Sequence, residues 1–200
     1  MSISVAAARR AEHAAGANRT VLGFWIYLMT DCILFAALFA TYAVMRGATD
    51  GGPSGAALFS LPYVLVETLL LLTSSFVCGL AMIALQRGKK DAVLQLLFIT
   101  FVLGAAFVGL EINEFRHLIS EGHDWARSGF LSSFFTLVGT HGLHICVGLV
   151  WLSVLFVQIF RKGLGGNTPK RMTLFSMFWH FLDVVWIFIF SIVYLWSGLV

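Results

Sequence analysis

Charge is scarce in this chain. Only 13 Lys and Arg and 10 Asp and Glu occur among 200 residues, 12% of the total, against 59% hydrophobic residues. No soluble core absorbs that much apolar surface, and the mean hydropathy of +0.89 points to a bilayer. Basic residues form no long run or arm, so the net charge of +3 gives no footing for nucleic acid. Cysteine is sparse too: Cys32, Cys78 and Cys146 each fall within an apolar run, with no CxxC or CxxCH pattern, and read as small packing residues. Missing as well are GxSxG, HExxH, a Walker loop and a strand-borne GxGxxG, the signatures of the commoner soluble catalysts. Gly163-Leu164-Gly165-Gly166 follows no strand and reads as a turn.

What remains is five apolar segments, near 21–45, 62–86, 92–115, 130–160 and 172–197. Each has the ~20 residues that cross the ~30 Å hydrocarbon layer as a helix. The expected fold is all-α: a polytopic bundle of five transmembrane helices over residues 21–200. Residues 1–20, small and polar without an apolar core, read as a mobile cytoplasmic tail and not as a cleaved signal. Ser75-x-x-x-Gly79 and Ala105-x-x-x-Gly109 are candidate faces for close helix packing. Neither an internal repeat nor a broken helix is visible, which weighs against an independent transporter.

Ten of the thirteen basic residues lie on one side of a five-span layout: Arg9, Arg10, Arg19, Arg87, Lys89, Lys90, Arg161, Lys162, Lys170 and Arg171. Arg46, Arg116 and Arg127 lie on the other. Basic loops stay cytoplasmic, so the amino end is expected in the cytoplasm and the carboxyl end in the periplasm.

Ionisable side chains at membrane depth mark function or firm structural need. They are Asp31, Glu67, Glu111, Glu114, His141, His144, His180 and Asp183. At ~1.5 Å per residue, Asp31, His180 and Asp183 fall ~12–17 Å from the basic edge, and Glu67, Glu111, His141 and His144 ~25–30 Å. Glu111 and Glu114, His141 and His144, and His180 and Asp183 each share a helix face at i,i+3. Both layers mix carboxyls with imidazoles, which suits mutual pairing. Three readings fit: a b-type haem site, a proton or ion path, or structural and lipid-headgroup partners in a scaffold. The haem reading suffers from the ~12 Å depth gap between His144 and His180. Most buried polar groups are structural, which puts the scaffold first.

Four runs carry a specific resemblance: GFWIYLMTDCILFAALFATYAV at 23–44, GLEINEF at 109–115, GTHGLHICVGLVW at 139–151 and FWHFLDVVWIF at 178–188. From about Gly23 onward the chain resembles subunit III of haem–copper respiratory oxidases, most closely the bacterial cytochrome bo-type ubiquinol oxidases. Five spans match the quinol-oxidase form; the cytochrome c oxidase form typically has seven. Where that branch has a carbodiimide-reactive membrane glutamate, this chain has Asp31, a carboxylate on a shorter stem. The resemblance implies a non-catalytic subunit of a proton-pumping enzyme in the bacterial cytoplasmic membrane. It implies no catalytic, cofactor or metal residue in this chain, haem and copper being held by the catalytic partner. Subunit I, other oxidase subunits and membrane phospholipids are the implied partners. A cytochrome c oxidase subunit III and an independent transporter or channel are the alternatives.

Cysteine probes at Ser4 and Gly198, in a cysteine-free background, should react from opposite sides of the membrane. Labelling of both from one side would require an even number of spans.

Overall fold

A computed structural model describes the backbone of residues 2–51 and 61–196, with side chains from residue 19 onward. It is helical throughout, with no strand among the described residues. The helices are α1 (Ser2–Met45), α2 (Leu61–Gln86), α3 (Lys90–Ser120), α4 (Gly129–Lys162) and α5 (Thr168–Ile189), the last continuing as a π-helical turn, Phe190–Leu195. All five are long and apolar enough to cross a membrane. The chain is a multi-pass membrane protein. α3 outlasts its apolar run, passing Arg116 and His117 to stop at Ser120, since charge ends hydropathy without ending a hydrogen-bond ladder.

Helix ends follow local chemistry. Ser128 caps α4, its hydroxyl accepting from the Leu131 amide at 3.2 Å. Gly163 ends the same helix at φ 73°, a conformation that costs other residues a Cβ clash. Pro169 sits in the first turn of α5, where no amide donor is needed. Gly88, at φ 68°, turns the chain between α2 and α3.

Two compact units, residues 1–34 and 35–200, divide the chain within α1. In the first unit α1 is one uninterrupted helix. In the second, α2 packs on α3, α3 on α4, α4 on α5 and α5 back on α2, closing a ring of four. The remaining part of α1 lines this ring: Phe39 meets Phe188 edge-on at 6.4 Å, and the Tyr42 hydroxyl donates to the Val193 carbonyl at 3.4 Å. Arg46 lies over the Trp196 ring at 4.2 Å. At the opposite, basic face, Lys90 Nζ donates to the Phe160 carbonyl at 3.0 Å and ties α3 to α4.

The ring is keyed by two tryptophans of α5. Trp179 is fully buried and slots between glycines of two helices. A Cβ at Gly104 of α3 would lie 3.0 Å from the indole, and one at Gly148 of α4 would lie 2.8 Å from it. The indole N–H donates to Ser74 Oγ of α2 at 3.2 Å, and that hydroxyl donates to the Thr100 carbonyl of α3 at 3.2 Å. Seven residues on, two helical turns along the same face, Trp186 donates to Thr68 Oγ1 of α2 at 3.0 Å. The acceptors fall from 74 to 68 as the donors rise from 179 to 186, as antiparallel neighbours require.

The close approaches differ from those expected. Among the described residues a Cβ at Gly79 or Gly109 would meet nothing within 4 Å, so neither glycine of the two small-residue motifs serves a helix contact there. Gly104, Gly142 and Gly148 do, because large side chains, and not opposing backbones, fill the space above them.

Gly148→Leu should therefore displace Trp179 and destabilise the bundle by about 1–3 kcal/mol, as overpacking does. Gly109→Ala, facing open space, should be neutral. Thermal unfolding in mild detergent distinguishes the two.

Candidate functional site

The polar residues of the second unit fall at two levels. Nearer the basic face are His180, Asp183 and Ser75. Ser75 Oγ and His180 Nδ1 are 2.5 Å apart, joining α2 to α5, and Asp183 also reaches the Ser75 hydroxyl. Asp183 is buried, 7% exposed, with Oδ1 unsatisfied among the described residues. His180 is exposed. Serine, histidine and acid meet here without forming a nucleophilic triad, in which the acid holds the second imidazole nitrogen. Both partners converge on the serine instead, giving a hydrogen-bond node between helices. Asp31 belongs to the first unit, one helical turn after Tyr27 on the same face of α1.

The second level holds Glu67, Glu111, Glu114, His141 and His144. Glu67 is fully buried with neither carboxyl oxygen hydrogen-bonded among the described residues. His141 is likewise fully buried, and neither ring nitrogen finds a partner there. Rings enclose it: Trp186 stacks on it at 5.2 Å, while Phe107 and Phe35 meet it edge-on at 6.1 and 6.3 Å. His144, one turn away, hydrogen-bonds its own helix, Nδ1 donating to the Thr140 carbonyl at 2.7 Å. That contact fixes the tautomer with hydrogen on Nδ1. Glu114 Oε2 accepts from the Tyr194 hydroxyl at 3.1 Å. Glu111 goes elsewhere, its carboxyl lying over Gly142, where a Cβ would be 2.6 Å from Oε1 and 2.7 Å from Oε2.

The expected carboxyl–imidazole pairing is thus not how His141 and His180 are accommodated. One is packed among aromatic rings and the other meets a serine. The i,i+3 pairs also part company: Glu114 turns to α5 and Glu111 to α4, since a three-residue step leaves side chains ~60° apart around the axis. No group of three or more His, Cys, Asp or Glu gathers as metal ligands among the described residues. Of the two α4 histidines, His141 is sealed between rings, and His144 has Nδ1 committed to its own backbone.

Sequence reasoning missed Ser75 as the partner of His180, and also Tyr194, Trp179, Trp186 and the three glycines. The i,i+7 spacing of the tryptophans was a usable signal for a shared face. Their hydroxyl partners on α2 carried no signal at all.

Comparison with known proteins places this geometry. The sequence pattern of the family "Cytochrome c oxidase subunit III" matches residues 2–198. The chain belongs to the cytochrome c oxidase subunit III family. Among its relatives is the cytochrome bo(3) ubiquinol oxidase subunit 3 of Pseudomonas aeruginosa, 58% identical over 187 residues, covering 94% of this chain and 89% of the relative. The quinol oxidase subunit 3 of Bacillus subtilis is 46% identical, covering 88% and 86%. The cytochrome c oxidase subunit 3 of Bacillus sp. PS3 is 45% identical, covering 95% and 91%.

Removing one hydroxyl at each level should weaken the family bundle modestly. Ser75→Ala and Tyr194→Phe should each cost about 0.6 kcal/mol, the average for interhelical hydrogen bonds in membranes, and no more than about 1.7 kcal/mol. The double variant should be additive, because separate levels share no partner. Thermal unfolding of the four proteins in one detergent measures this.

Proposed function

We propose that this chain is subunit III of a proton-pumping ubiquinol oxidase, a non-catalytic membrane subunit that supports the enzyme oxidising ubiquinol and reducing oxygen to water. The observation that carries this reading is the 58% identity, over 94% of the chain, to a relative named as a ubiquinol oxidase subunit. Five spans agree with the quinol-oxidase form of the family. A relative named for cytochrome c oxidase is less similar, at 45%. The chain's own chemistry supports a scaffold at Glu114, His141, His144 and His180, which meet a hydroxyl, aromatic rings or backbone.

In this reading haem and copper reside in subunit I and its neighbours, and this chain supplies packing surfaces and phospholipid contacts. Asp31, Glu67, Glu111, Glu114, His141, His144, His180 and Asp183 are structural or lipid-binding residues. The complex sits in the bacterial cytoplasmic membrane, with the amino end and the basic loops in the cytoplasm. Nucleic acid has no part in it.

Purification through a tag on this chain, in mild detergent, should bring down haem-bearing large subunits with ubiquinol oxidase activity. The separated subunit should show no stoichiometric Soret band. A chain that purifies alone and moves a solute in vesicles would overturn the assignment in favour of a transporter. Asp183→Ala should reduce retention of the subunit or activity over prolonged turnover, leaving the haem content of the catalytic subunit initially unchanged. Immediate loss of pumping in a fully assembled complex would instead assign Asp183 to a proton path.

A further inference from the structure

His180 is an exposed imidazole close to the centre of the span Thr168–Leu195. From there a histidine is too short to lift its ring to the headgroups, and a polar nitrogen turned toward acyl chains is costly. Nδ1 is satisfied by Ser75 Oγ at 2.5 Å. Nε2, at the edge of the ring farther from the backbone, has no hydrogen-bond partner among the described residues.

The protons at Ser75 decide what Nε2 lacks. A hydroxyl has one proton to give, and Asp183 takes it, because a carboxylate only accepts. His180 Nδ1 is then the donor to Ser75 Oγ, which leaves Nε2 with a lone pair and no hydrogen. The group it faces must be a donor.

Around the ring the surface is apolar and runs along two helices that pack side by side. Leu72, Phe76 and Gly79 on α2 recur at i, i+4 and i+7 and share a face, as do His180, Val184 and Ile187 on α5. Phe76 is 68% exposed and Val184 51%. At Gly79 a Cβ would meet nothing within 4 Å among the described residues, so a neighbouring backbone has room to come close. Each row extends roughly 10 Å along its axis. That is the footprint of a helix, longer than a single ring, and acyl chains have no donor to offer at this depth.

We propose that the α2–α5 face around His180 docks a membrane helix of a partner oxidase subunit, whose hydroxyl or carboxamide side chain donates a hydrogen bond to His180 Nε2. An ammonium would donate as well, at the added cost of bringing a charge to mid-bilayer. The proposal rests on the chain's being an oxidase subunit and names the surface by which it joins its neighbours.

The test uses the whole complex in native membranes. A photoreactive amino acid replaces Phe76 or, separately, Val184, and irradiated products are mapped by peptide mass spectrometry. Both positions should cross-link to a transmembrane helix of another oxidase subunit. Two substitutions then probe the ring itself. His180→Gln places an acceptor about where Nε2 lies and should hold the complex. His180→Asn keeps a group about where Nδ1 lies, within reach of Ser75, and loses the outer acceptor. At the detergent concentration where half the native complex comes apart, His180→Asn should lower the ratio of associated to free chain about three-fold, the equivalent of one average interhelical hydrogen bond. The reverse order of the two variants, or an equal effect of both, would assign His180 to the Ser75 link alone and overturn the proposal. So would cross-links confined to lipid, to a second copy of this chain or to residues 1–34, in a preparation that still contains haem-bearing subunits; the oxidase assignment would then stand without it. If no haem-bearing subunit accompanies the chain, both fall together.

Discussion

The architecture depends on how one indole is accommodated. Trp179 brings a large ring into the centre of a ring of helices, and it fits only because α3 and α4 each present a glycine there. Lipid is as apolar as the bundle interior, so no hydrophobic gain holds membrane helices together once they are inserted. Dense packing and interhelical hydrogen bonds must do so. Trp179 supplies both, touching α3 and α4 with its ring and α2 with its N–H. Trp186 repeats the hydrogen bond two turns on and extends the contact to His141 through stacked rings.

The same packing surrounds two imidazoles, buried His141 and exposed His180. His141 sits where three aromatic rings converge, and His180 is held by Ser75, so helix packing and not charge neutralisation sets their positions. Glu114 and Tyr194 show the same economy, a single hydroxyl joining α3 to the end of the fifth span. Among the described residues these are local links, each joining two helices.

Much of this was legible in the sequence. Five spans follow from hydropathy because the bilayer imposes one length on every crossing helix. The motif WHFLDVVW marked the part of α5 that carries both key tryptophans, His180 and Asp183. Other features were not legible, for a physical reason. Small-xxx-small spacing describes two backbones in contact, and at Gly79 and Gly109 nothing among the described residues comes within 4 Å of where a Cβ would lie. The glycines that matter lie opposite a tryptophan, a pairing between distant segments that no local pattern encodes. Likewise, i,i+3 spacing put Glu111 and Glu114 on one face, but their partners lie on different helices and draw them apart.

The π-helical turn at Phe190–Leu195 gives the fifth span a tolerance in length. A π turn holds one residue more than the α-helical ladder needs, so the end of the span behaves as though it contained a single-residue insertion. Excising one residue before Tyr194 would let the ladder relax to α, and the tyrosine would keep its side of the axis, because the turn had already taken up the extra residue. Its hydroxyl would still face Glu114. The same deletion in the α-helical part of the span, where there is no such slack, would swing every later side chain by about 100° around the axis.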